Sequence, residues 1–158
     1  MQKLSHIDPH GRAAMVNITE KKETKRVAIA KGRIYMMPET LALIDAGGVK
    51  KGEVYSIARI SGIMAAKKTA ELIPLCHPLP IQSVSIDLIS NTSENCIDIQ
   101  ATASLYGRTG IEMEALTAVS ISALVIFDMC KAVDKKMKVS DVRLIHKSGG
   151  KSGTFNAD

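Results

Sequence analysis

One acid of this chain stands where a fold alone has little use for it. Asp128 interrupts an apolar stretch, and Lys131 follows three residues later, so that in a helix the two share a face about one turn apart. A plain ion pair is the simplest reading. A carboxylate set among apolar residues is costly unless it is used, however, and an acid beside a cation is the equipment of proton transfer. Glu112-Met113-Glu114 puts two more acids in the first turn of the same expected helix, where the helix dipole favours them without any function. Arg108 and the free amides of that helix start are also suited to an anion. At about 1.5 Å per residue, Asp128 lies about 24 Å along the helix from Glu112, so a site containing both needs two subunits.

Pro74-Leu75-Cys76-His77-Pro78 sets a thiol and an imidazole in a turn. A loop histidine that only hydrogen-bonds its surroundings is the common case, and metal ligation is not expected. There is no CxxC pair, Cys76 and His77 are adjacent, and the one HxxxH spacing, His6 to His10, contains Pro9. Cations complete the set. Lys50-Lys51 follows Gly47-Gly48, and Lys147 and Lys151 flank the glycines near the end. Gly150-Lys151-Ser152 has the look of a phosphate loop, but Ile145 stands where a Walker A motif needs its first glycine. A cationic, glycine-rich segment is better suited to folding over phosphates once a ligand has arrived. Together these groups suit acid–base chemistry on a small phosphate-bearing molecule, with no metal and no other cofactor.

Such groups need elements to position them. Residues 26–36 are apolar and β-branched and read as a strand. A short helix follows from Pro38, stopped by Gly47-Gly48, and helical spacing then runs from 53 to 72. Residues 81–89 alternate, 91–95 form a turn and 96–105 alternate again, which makes a hairpin. Thr109 and Glu112, three apart, have the form of a capping box opening a helix to about 133. A strand over 137–145 closes the order. The pattern predicts an α+β fold, a ferredoxin-like β-α-β-β-α-β arrangement with helices packed on one face of an antiparallel sheet. One catalytic domain covers 1–158, with 1–23 a loosely held arm and 147–158 a flexible tail. Beyond Glu114 the long helix is apolar nearly all round; a single sheet covers one side, so a second subunit is expected on another.

Composition sets the outer limits. Hydrophobic residues make up 46% and charged residues 23%, as in a globular domain, while aromatics are only 3%, so aliphatic side chains and eight Met must fill the core. The excess of 21 Lys and Arg over 16 Asp and Glu suits an anionic partner. Three cysteines at wide spacings argue against a disulfide framework and for a reducing compartment. The first ten residues hold no apolar run, so no secretory leader is expected. The charge-free run 115–127 is shorter than the roughly 20 residues of a membrane span. The expected location is the cytoplasm. An RNA-binding module with the same element order stacks bases on sheet aromatics, and here only Tyr35 and Tyr106 are on offer, both near strand ends. No nucleic-acid partner is expected.

Seven segments in order carry a family resemblance: Lys51-Gly52-Glu53-Val54, Ala58-Arg59-Ile60, Gly62 to Thr69, Leu72-Ile73-Pro74-Leu75-Cys76-His77-Pro78-Leu79, Arg108 to Leu116, Asp128-Met129-Cys130-Lys131-Ala132, and Lys147 to Gly153. With Ser5-His6 and Met15-Val16 in the arm, they resemble the MoaC-type cyclic pyranopterin monophosphate synthases of molybdenum cofactor biosynthesis. The resemblance implies a lyase that converts 3′,8-cyclo-7,8-dihydro-GTP into cyclic pyranopterin monophosphate and releases pyrophosphate. It implies a ferredoxin-like fold and a hexamer built as a trimer of dimers, with active sites at subunit interfaces. Carried over by motif, Leu75, Cys76, His77, Met113 and Glu114 are substrate-binding positions and Asp128 the acid or base, with Lys51, Lys131 and Lys147 as its cationic partners. His77 belongs with Asp128, Lys51 and Lys131 in the expected catalytic set, and Glu112 and Lys151 with Lys147 in the substrate-binding set. Two positions depart from the family pattern: Asn17 where an Asp is usual, and Phe127 where a Tyr is usual.

Overall fold

The computed structural model describes residues 4–48 and 53–157. After an irregular arm the elements run β1 (Thr24–Tyr35), α1 (Pro38–Asp45), α2 (Val54–Lys67), α3 (Thr69–Leu72), β2 (Ser83–Asn91), β3 (Cys96–Gly107), α4 (Glu112–Cys130), β4 (Lys138–Ser148) and β5 (Phe155–Asn156). The strands form one antiparallel sheet in the order β2-β3-β1-β4-β5. Neighbours β1 and β3 are thus separated in sequence by a helical connection, as are β1 and β4. This is the ferredoxin-like α+β arrangement that the alternating and helical spacings predict.

The period-2 pattern explains which face is covered. Ala28, Ala30 and Ile34 of β1 and Ile97, Ile99, Ala101, Ala103 and Leu105 of β3 point to the helices and are buried, while residues between them stay partly open. Small residues in the central strands let α4 lie close. A Cβ on Gly32 would stand 2.6 Å from a Val119 methyl carbon. The two long helices also touch through small residues: Ser122 Oγ donates to the Ala58 carbonyl at 3.1 Å, and a Cβ on Gly62 would collide with that hydroxyl.

Five sequence readings need correction. The second flank of α4 is covered by α2 of the same chain, so its all-round apolar character does not by itself call for another subunit. The capping box does not form: α4 starts at Glu112 behind Ile111, with no side-chain cap, because the Glu112 carboxylate is drawn to Lys147 instead. The helix stops at Cys130, three residues early, since Asp134 is committed elsewhere. Its carboxylate accepts from the backbone N–H of Met37 at 2.8 Å, the Thr40 hydroxyl at 3.4 Å and the backbone N–H of Lys136 at 2.9 Å, capping α1 from a distant loop. The helix expected over 53–72 breaks at Lys68, where the buried Thr69 hydroxyl donates back to the Ala65 and Ala66 carbonyls and bends the chain. Finally β4 runs to Ser148 rather than 145, and residues 155–156 fold back beside it as β5.

Candidate active site

Four parts of the chain converge on a cavity of about 920 Å³. Its walls are the turn after α3, the start of α4, the end of β4 with the glycine loop beyond it, and the N-terminal arm. Leu75, Cys76, His77, Glu112, Met113, Glu114, Lys147 and Lys151 all line it. Thus eight positions singled out from sequence, from three separated segments, meet in one space.

Local structure accounts for each placement. The backbone N–H of Cys76 donates to the Ile73 carbonyl at 3.0 Å, closing the turn that holds Cys76 and His77 half-buried at the rim. On α4, Glu114 shares a stripe with Ala118, Ser122 and Ile126 at a spacing of four, and that stripe is the buried one. Lys147 pairs with Ala28, whose side chain faces the helices, so its ammonium extends to the start of α4 and donates to Glu112 Oε1 at 2.9 Å. The neighbouring acids therefore differ: Glu112 has a cation, and Glu114 is 4% exposed with no other side chain paired to it among the described residues. Burial pushes the Glu114 carboxyl up to about 7, and the Glu112 charge adds to this, although the Glu114 backbone N–H opposes it. The Cys76 thiol is raised as well, first by burial and then by Glu114. A carboxyl that titrates near neutrality, in one cavity with an imidazole and lysines, can take and return protons while cations hold phosphate.

Several lining residues escaped the sequence reading. Arg26 reaches the cavity and donates to the Gly107 carbonyl at 3.3 Å and the Gly149 carbonyl at 3.1 Å. His6, Lys21 and Lys22 of the arm also line it. The mixed run Glu20-Lys21-Lys22-Glu23 reads as a solvated segment, and the Arg108 contacts to Glu23 at 3.5 Å and to the Thr19 carbonyl at 3.2 Å help to fix it here. Arg108, read as an anion holder, lines the cavity and also ties down the arm. Of the two family departures, Asn17 accepts from the Thr19 backbone N–H at 2.9 Å and Phe127 packs against the core.

Asp128 and Lys131 are not in this cavity. They sit at the opposite end of α4, exposed by 59% and 55%, with Lys131 Nζ 2.6 Å from Asp128 Oδ1. The ion pair expected from their spacing is present. Lys51 lies outside the described residues. Further along the chain, Tyr55 at the start of α2 donates to Asp45 Oδ1 at 2.6 Å. Among the described residues, no three His, Cys, Asp or Glu side chains converge as a metal site would require.

Residues 15–150 match the model of the MoaC family. A relative from Dinoroseobacter shibae, named cyclic pyranopterin monophosphate synthase, is 55% identical over 158 residues, covering the whole of both chains. Relatives of the same name from Desulforapulum autotrophicum and Thermomicrobium roseum are 56% and 51% identical over all of this chain, covering 97% and 95% of their own lengths.

Proposed function

The chain belongs to the MoaC family, and from that membership we infer that it is a lyase of molybdenum cofactor biosynthesis, converting 3′,8-cyclo-7,8-dihydro-GTP into cyclic pyranopterin monophosphate and pyrophosphate. The observation that carries the reading is the cavity that Glu114, its carboxyl pKa raised by burial, shares with Cys76, His77, Lys147 and Lys151. The reaction rebuilds a ring, which moves protons among nitrogens and oxygens. It also closes a cyclic phosphate: a substrate hydroxyl bonds to the α-phosphorus, and the bond from that phosphorus to pyrophosphate breaks. The first task suits Glu114, His77 and Asp128 as acids and bases; the second suits Lys51, Lys131, Lys147 and Lys151 as carriers of developing charge. Leu75, Cys76 and Met113 give the ring system a partly apolar wall, and Glu112 holds Lys147 in place.

We assign Asp128 and Lys131 to the same site through a second copy of the chain. Their position one helix length from the cavity is otherwise unexplained, since an exposed ion pair of this kind contributes little to folding. Exposed apolar residues support a partner on the helix face: Ile60 and Met64 of α2 and Leu124 of α4 are 59%, 53% and 54% exposed. The assembly we propose is a hexamer, a trimer of dimers with interface sites, working in the cytoplasm. Incubation with the cyclised dihydro-GTP should release one pyrophosphate per cyclic pyranopterin formed. Consumption of the substrate without pyrophosphate, or no consumption, would overturn the assignment.

A further inference from the structure

The glycine loop that carries Lys151 is fastened at both of its ends. At its entry, Gly149 and Gly150 adopt φ of 98° and 78°, and Arg26 donates to the Gly149 carbonyl at 3.1 Å. A Cβ on Gly149 would collide with the Lys25 carbonyl oxygen, and one on Gly150 with the Arg26 guanidinium, so the loop passes directly over the start of β1. At its exit, β5 pairs with β4: His146 lies opposite Asn156 and Lys147 opposite Phe155, and the Ala157 N–H donates to the Ile145 carbonyl at 2.9 Å. The side chains add a tie of their own, His146 Nδ1 donating to Asn156 Oδ1 at 2.7 Å. Between these fastenings a turn from the Gly150 carbonyl to the Gly153 N–H presents Lys151 and Ser152 to the cavity.

We propose that Asn156 is a positioning residue: its tie to His146 holds the β4–β5 hairpin closed and so presents the Lys151 loop to the phosphate chain of the substrate. This rests on the phosphate reading of the cavity given above. A loop with three glycines loses much freedom when it binds, and fastening its two ends removes part of that cost beforehand. The tie lies outside the cavity wall, as Asn156 does not line it. Its effect should therefore fall on binding of the polyphosphate and leave the chemical step alone.

The test compares Asn156→Ala, Asn156→Asp, Lys151→Met and the Asn156→Ala/Lys151→Met pair, using inorganic pyrophosphate as the binding probe and the cyclised dihydro-GTP for turnover. Asn156→Ala should weaken pyrophosphate binding and raise KM by about 3- to 10-fold, with kcat within about twofold. Asn156→Asp keeps an acceptor for His146 and should restore both values. In the Lys151→Met background, Asn156→Ala should add little, because it acts through a group already removed. If Lys151→Met weakens binding and Asn156→Ala does not, or if the two losses simply add, the positioning role is overturned while the phosphate reading stands. If Lys151→Met changes neither value, the phosphate reading of the loop fails and this inference with it. A fall in kcat at unchanged KM in Asn156→Ala would likewise overturn it.

Discussion

Glu114 and Asp134 are both carboxylates removed from solvent, with 4% and 1% of their surfaces exposed, yet they are kept in opposite conditions. Asp134 accepts two backbone N–H groups and a hydroxyl, all from segments that would otherwise have unpaired donors. Glu114 receives nothing from any other side chain among the described residues, and its neighbour Glu112 repels its charge. An acid buried for stability is surrounded by donors; an acid buried for chemistry is left wanting them. The first lowers the energy of the fold, and the second is stored at a cost that a substrate can relieve.

The largest effect that tests this contrast should come from Glu114→Gln. The amide keeps the shape and cannot exchange a proton, so turnover should fall by about 10² to 10⁴ while the fold is kept. Activity within a few-fold of the parent would reduce Glu114 to a wall residue. Asp134→Ala should show the reverse. Stripping the cap leaves buried donors of α1 unpaired, which costs about 3 kcal/mol, while kcat per folded molecule should remain within about twofold. Chemical denaturation together with active-site titration reads both numbers. A stable Asp134→Ala protein with lost turnover would invert the comparison.

The pH dependence of stability sharpens it further. Glu114 has an ordinary carboxyl value of 4.5 and one of about 7 in the folded chain. The unfolded chain therefore releases this proton first as pH rises. Stability from this group is full below about 4.5 and declines as pH climbs through about 7, by at most about 3 kcal/mol. Glu114→Gln should abolish that decline and be the more stable protein at pH 8. A parallel pH profile in parent and variant would mean that Glu114 is not strained by its burial.

How far the sequence revealed these two acids follows from where their partners lie. The strands and helices were legible because alternation, helical spacing and Pro or Gly punctuation are local signals. Glu114 was legible only through the family resemblance, because the helix beyond it is apolar nearly all round and its spacing does not separate Glu114 from Glu112. Asp134 was not, because Met37 and Thr40 are more than ninety residues away and no local pattern announces a remote cap. The arm and Arg26 were missed for the same reason, as their places depend on Gly107, Gly149 and Thr19. The part that α2 plays in covering α4 was not legible either, since hydrophobic spacing says that a face is apolar and is silent on whether α2 or another chain covers it.

The smallest expected signal concerns the two ends of α4 and decides whether the site is shared. Asp128→Asn should change stability by no more than about 0.5 kcal/mol, since its pair with Lys131 is more than half exposed, yet it should be nearly inactive if Asp128 moves protons. Glu114→Gln should be nearly inactive as well. If each site takes Glu114 from one subunit and Asp128 from its partner, mixing the two variants creates some intact sites. With equal amounts and random exchange, half the dimers are mixed, and one of the two sites in each holds both native acids, so about a quarter of parental activity should return. The opposite site of the mixed dimer carries both substitutions and contributes nothing. Subunit exchange must first be made fast enough, for instance by dilution through mild denaturant, with a tagged parent to report the fraction of mixed dimers. Given confirmed mixing, a blend that stays as inactive as its components would place all the chemistry within one chain, and Asp128 would be left as a surface ion pair.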